Sequence, residues 1–203
     1  MDNTQQMPPE RHIGAVNWVG LGTLYGKECR RFFKVWLQTI VAPTITSMLF
    51  LAVFSLALGR AVPEIGGVSF LQFMAPGLIV MAMMQNAFAN TSSSLMISKV
   101  QGNVVDVLMP PLSPGELLIG FAMGGVSRGL VVAVVLSLVM LPFVHLEVHH
   151  FGFLLLHAFA ASMMLSLLGL LTAIWAEKFD QLAAVTNFVI TPLAFLSGTF
   201  YSI

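Results

Sequence analysis

Residues 37–58 run for 22 positions without a single charge. A stretch of that length spans a hydrocarbon core of about 30 Å as a helix. Inside lipid it has little alternative, because every backbone N–H and C=O must find its partner within the segment or within a closed barrel. Four more apolar runs follow, at 70–91, 117–141, 151–175 and 182–201. They predict an all-α, polytopic membrane helix bundle with five spans. Composition agrees: 57% of the 203 residues are hydrophobic and 9% are charged, against roughly 25% charged in a soluble domain. Nine basic and nine acidic residues leave no net charge, so no bulk attraction to nucleic acid is expected. Cys29 stands alone and excludes an internal disulfide.

Residues 1–15 are polar, contain Pro8 and Pro9, and read as a disordered tail. Residues 16–36 read as an amphipathic interfacial helix. On a helical wheel Trp18, Leu21, Tyr25, Cys29, Phe32 and Trp36 share one face, and Lys27, Arg30, Arg31 and Lys34 lie opposite. A basic face against an aromatic one suits the boundary between lipid headgroups and acyl chains. Pro43 lies in the first two turns of the first span, and Pro76 near the start of the second. Seven Lys and Arg fall in the amino-terminal segment, the central loop and the fourth-to-fifth loop; the other side holds Arg60 alone. That asymmetry places the amino terminus and the central loop in the cytoplasm.

The central polar stretch, 92–116, does not read as a passive connector. Gly102 supplies a backbone bend that a side chain would resist. Residues 103–109 can form about two turns of helix before Pro110 and Pro111 end it. Ser113, Pro114 and Glu116 then occupy the N-cap, first and third positions of a new helix, the signature of a capping box.

Few residues could carry chemistry. Arg128 sits inside the third span, where a cation costs roughly 2.5–3.5 kcal/mol on insertion scales and must face protein or water. Its partners are expected among carbonyls and the intramembrane amides Gln85, Asn86, Asn90 and Asn187, as a substrate or water path or as a helix clamp. Gly124, Gly125 and Gly129 allow close helix approach there, and Ala158, Ser162, Ser166, Gly169 and Ala173 form a small-residue packing face. His145, His149 and His150 lie together near Glu147, but without a further ligand cluster the expected reading is a solvated loop and no metal site. Ser197 and His157 are a minimal nucleophile and base, set in a context that argues against a hydrolase. No GxxxxGK[ST] loop occurs, so any use of ATP belongs to another chain. The rival from a different class is a membrane channel or scaffold without ATP coupling.

The run SSSLMISKVQGNVVDVLMPPLSPGELLIG, 92–120, resembles the cytoplasmic coupling loop of ABC-2 type transport permeases, and TPLAFLSGTFYSI, 191–203, resembles that family's signature near its fifth span. VWLQTIVAPTITSMLF, FLQFMAPGLIVMAMMQNAFAN and GGVSRGL are similar to its first three spans, in the inner-membrane branch of bacteria. The resemblance implies the permease subunit of an exporter that homodimerises in the bacterial inner membrane among lipids and pairs with a separate ABC ATPase. ATP and Mg would bind on that ATPase and no cofactor on this chain. It also implies ATPase contact by the amphipathic helix, here Lys27, Arg30 and Arg31, and by the loop, here Lys99, Gly102, Asp106 and Leu108. The family continues to a sixth span, so the chain reads as a fragment or a truncated product.

Overall fold

The structure is a computed structural model that describes Gly14 and residues 16–59, 64–65, 67–144, 148 and 150–196. The disordered-tail reading of 1–13, the outer-side Arg60, His145, Glu147 and His149, and Ser197 with the end of the fifth run lie outside the described residues.

Eight α-helices in the described residues account for the bundle: α1 Trp18–Lys34, α2 Ala42–Leu58, α3 Phe70–Val100, α4 Val104–Leu108, α5 Pro114–Met140, α6 Phe151–Trp175, α7 Phe179–Val185 and α8 Thr191–Leu196. Single π-turns, Leu37–Val41 and Thr186–Ile190, lead into α2 and join α7 to α8. Among the described residues four helices are long and apolar enough to cross a membrane: Leu37–Ala57, Phe70–Val100, Pro114–Met140 and Phe151–Trp175. The run Phe179–Phe195 is apolar but shorter. Between α2 and α3 a two-residue hairpin, β1 Glu64–Ile65 with β2 Val68–Ser69, pairs Glu64 with Ser69. Ser69 and Gln72 form a capping box that starts α3.

The second span differs from its expected end. Hydropathy stops it at Thr91, yet α3 continues unbroken to Val100. Thirty-one residues at 1.5 Å each give about 46 Å of helix, well beyond a 30 Å hydrocarbon core. The serine-rich stretch 91–99, TSSSLMISK, therefore forms a helical projection from the apolar layer. Ser93 and Ser98 hydroxyls bond carbonyls one turn back, and the Thr91 hydroxyl donates across to the Ser166 carbonyl of α6 at 2.7 Å.

α3 is the axis of the bundle, flanked by α5 and α6. Glycine and serine bring the three together. A Cβ at Gly129 would lie 2.8 Å from the Met83 carbonyl oxygen, and one at Gly125 would collide with Ser166. Ser162, Ser166 and Ala173 on the small-residue face of α6 are fully buried. Small side chains let backbones approach closely where lipid supplies no hydrophobic drive between helices. A second apolar core lies toward the α2 end, built from Leu51, Phe70, Met74, Leu78, Val132, Leu136 and Met140.

Candidate functional site

The projecting end of the bundle carries the functional candidates. α1 lies lengthwise along the first three turns of α5. Asn17 meets Glu116, Leu24 meets Gly120, Glu28 meets Gly124, and the Tyr25 hydroxyl hydrogen-bonds Ser127 Oγ at 2.8 Å. Contacts on α5 advance in the same direction as those on α1, so the two helices run in parallel.

Of the wheel's aromatic face Phe32 alone is buried, and the docked face otherwise runs through Leu24 and Glu28. Leu24, Glu28 and Phe32 are buried, with Glu28 at 0% exposure, whereas Trp18 and Trp36 stay exposed. Glu28 enters a polar pocket between α3 and α5. Its Oε1 accepts from Ser94 Oγ at 2.7 Å, and its Oε2 from Arg31 Nη2 at 3.2 Å and Asn90 Nδ2 at 3.5 Å. Gly124 makes the room: a Cβ there would sit 2.6 Å from the Glu28 Cβ. Arg31 also donates to the Asn90 carbonyl at 2.7 Å, to Asn90 Oδ1 at 3.0 Å and to Ser93 Oγ at 3.2 Å. Arg31 thus leaves the basic face on which the wheel puts it: its stem swings the charge onto α3. Lys27, Arg30 and Lys34 remain exposed. Glu28 was absent from the sequence candidates. Its signal was its place between Leu24 and Phe32 at helical spacing, three residues before Arg31.

The loop after α3 is held at three points. Lys99, placed by resemblance at the ATPase, donates to the carbonyls of Ala173, Ile174 and Ala176 at 2.9, 2.8 and 2.7 Å. It satisfies the open C-terminal end of α6 and complements its dipole. Gly102 turns the chain at φ +74°. α4 is shorter than the expected two turns, five residues with Asn103 at its N-cap. Val107 packs against the cluster around Leu24, Phe121 and Leu170, while Val105, Asp106, Leu108 and Met109 face outward. Beyond the prolines the Ser113–Glu116 capping box is present. Glu116 does more than cap: its Oε2 accepts from the Ser113 N–H at 2.6 Å and its Oε1 from the Asn17 N–H. Asn17 Oδ1 caps α1 through the Gly20 N–H, and its Nδ2 donates to the Pro111 carbonyl. The loop, α1 and α5 are therefore bolted at one corner.

Deeper in the bundle, Arg128 Nη2 donates to Asn86 Oδ1 at 2.9 Å. Of the other intramembrane amides, Asn90 belongs to the Glu28 and Arg31 cluster. Gln85 lines an apolar cavity of about 160 Å³ with Met81, Met164 and Leu193, and Asn187 is exposed. His157 is exposed, with Nδ1 beside the Phe153 carbonyl. Among the described residues no three metal-ligating side chains come together.

The family model described as ABC-2 type transporter matches residues 20–203. The chain is 38% identical over 186 residues to the inner membrane transport permease YadH of Escherichia coli (strain K12), covering 92% of this chain and 73% of that protein. The same identity and coverage hold for the protein of that name from Shigella flexneri. No solved structure matches the chain.

Proposed function

From the premise that this chain belongs to the ABC-2 type transporter family, and is a membrane transport permease, we propose that it is the membrane-spanning subunit of an exporter driven by a separate ABC ATPase. The partner binds and hydrolyses ATP with Mg²⁺; this chain breaks no covalent bond and works as a homodimer in the bacterial inner membrane. Binding of ATP closes the partner, which pushes on α4 and α1 and switches the bundle between inward- and outward-facing arrangements.

The observation that carries this reading is the outward face of α4. Val105, Leu108 and Met109 are 56%, 62% and 75% exposed around Asp106. An apolar knob with one acidic residue, on a loop tied to α1 and α5 through Asn17 and Glu116, is a surface made for a protein partner. A push on it reaches two helices at once. Lys27, Arg30 and Lys34, exposed along α1, are available to headgroups or the partner. In vesicles holding the permease and its ATPase, flux is expected with ATP and not with a non-hydrolysable analogue. ATP-independent flux of equal size would establish the channel reading instead.

The same reading puts α4 and the amino terminus in the cytoplasm, consistent with the seven-to-one distribution of Lys and Arg. In a variant lacking Cys29, cysteine at Asp106 should react only from the cytoplasmic side, and cysteine at Val148 only from outside. Reaction of Asp106→Cys with an impermeant reagent in intact cells reverses the orientation.

A further inference from the structure

Two guanidinium groups meet α3 one helical turn apart, at Asn86 and at Asn90. They are not equivalent. Arg31 at Asn90 has the Glu28 carboxylate at 3.2 Å, the one ion pair among the described residues. Arg128 at Asn86 has the amide oxygen and no carboxylate. Its Nε is buried without a partner, as is that of Arg31. The nearest acidic residue along the bundle, Glu28 of α1, lies against Gly124 one turn of α5 before Arg128 and is engaged by Arg31; Glu116 of α5 is three turns away at the bolted corner, and α2, α3 and α6 contain no acidic residue. Arg128 is therefore a cation at bilayer depth whose charge no described residue neutralises.

Resting on the permease reading above, we propose that Arg128, oriented by Asn86, binds the anionic headgroup of an amphiphilic substrate, a phosphate or a carboxylate. A guanidinium offers a planar fork that fits either group with two parallel hydrogen bonds. Weakened dielectric screening strengthens the attraction. The surroundings select an amphiphile over a free anion. Val131 and Val135, three and seven residues on from Arg128 along α5, are half-buried apolar side chains, a strip against which a tail can lie while its head meets the guanidinium.

The test uses the purified permease in phosphatidylcholine nanodiscs without any ATPase. Photoactivatable dodecyl probes carry a phosphate, a carboxylate or a hydroxyl head. Anionic probes should label α3 and α5 about tenfold more than the alcohol, the order expected from charged hydrogen bonds. Phosphate and carboxylate arms identify the preferred head. Arg128→Gln should abolish the difference. Asn86→Asp is the sharper variant: it retains the hydrogen bond and would firm a purely structural clamp, but it hands Arg128 an internal carboxylate and should also abolish anionic labelling. Equal labelling by the alcohol, or wild-type labelling of Asn86→Asp, overturns the proposal. Displacement of both anionic probes by inorganic phosphate at equal concentration overturns the amphiphile in favour of a free anion. Because no ATP is involved, failed capture leaves ATP-driven coupling standing, and failed coupling leaves capture standing.

Discussion

Glu28→Ala should loosen α1 from the bundle while the transmembrane helices stay inserted. The carboxylate is fully buried and accepts hydrogen bonds from Ser94, Asn90 and Arg31. Its removal strands the Arg31 guanidinium, whose side chain is 26% exposed, and two further donors. Breaking a buried pair by deleting one partner costs about 3–5 kcal/mol; partial access of Arg31 to water places this case near 3. Replacing both partners is a different matter, since the cost of burying two charges disappears with the interaction. Glu28→Met with Arg31→Met should therefore recover most of the loss, the apolar stems filling the space against Gly124. Thermal unfolding in detergent, read through protease access to the 34–37 junction, compares Glu28→Ala, Glu28→Met, Arg31→Met and the double variant. Additive effects of the two single substitutions would show that the ion pair does not hold α1.

The reason this cluster escaped the sequence is physical. A wheel sorts residues by hydropathy and treats Glu28 and Arg31 as solvent-facing. They are buried because a partner helix supplies amide, hydroxyl and glycine positions 60 to 100 residues away, and no periodicity within 16–36 carries that. The overlong α3 escaped for a related reason. Hydropathy measures preference for lipid, so it ends the span at the first serines. The helix itself continues because its hydroxyls bond their own backbone and Lys99 reaches across to α6. The spans were legible because a lipid-crossing chain has few alternatives to a long apolar helix. So was the capping box, whose chemistry is local to Ser113–Glu116. What was not legible is that Glu116 also reaches Asn17, a contact across 99 positions. Likewise four amides were candidates for Arg128, and only the packing of α3 on α5 selects Asn86.

The outward loop yields the largest functional effect. Gly102→Val should leave the permease inserted and dimeric, with ATP hydrolysis by its partner preserved and substrate moved per ATP lowered about tenfold, given 1–3 kcal/mol of strain for a β-branched residue forced into the left-handed region. The φ of Gly102 is +74°, and nothing lies within 4 Å of a Cβ built there. The penalty therefore comes from the backbone and not from a collision, and the chain relieves it by changing direction between Lys99 and Asn103. Lys99 is anchored on α6 by three carbonyls, so the relief moves α4. Val107 then leaves its apolar seat, and the face of Val105, Asp106 and Leu108 turns away from the angle at which the proposed ATPase would meet it. Asp106→Lys should give the same uncoupling without any backbone change, because it reverses the single charge on that face. The pair separates geometry from electrostatics: salt should ease the Asp106→Lys defect, through altered screening, and leave Gly102→Val unmoved. The measurement is ATPase rate and flux in the same vesicles. Wild-type flux per ATP in both variants would show that α4 transmits nothing and is a simple connector.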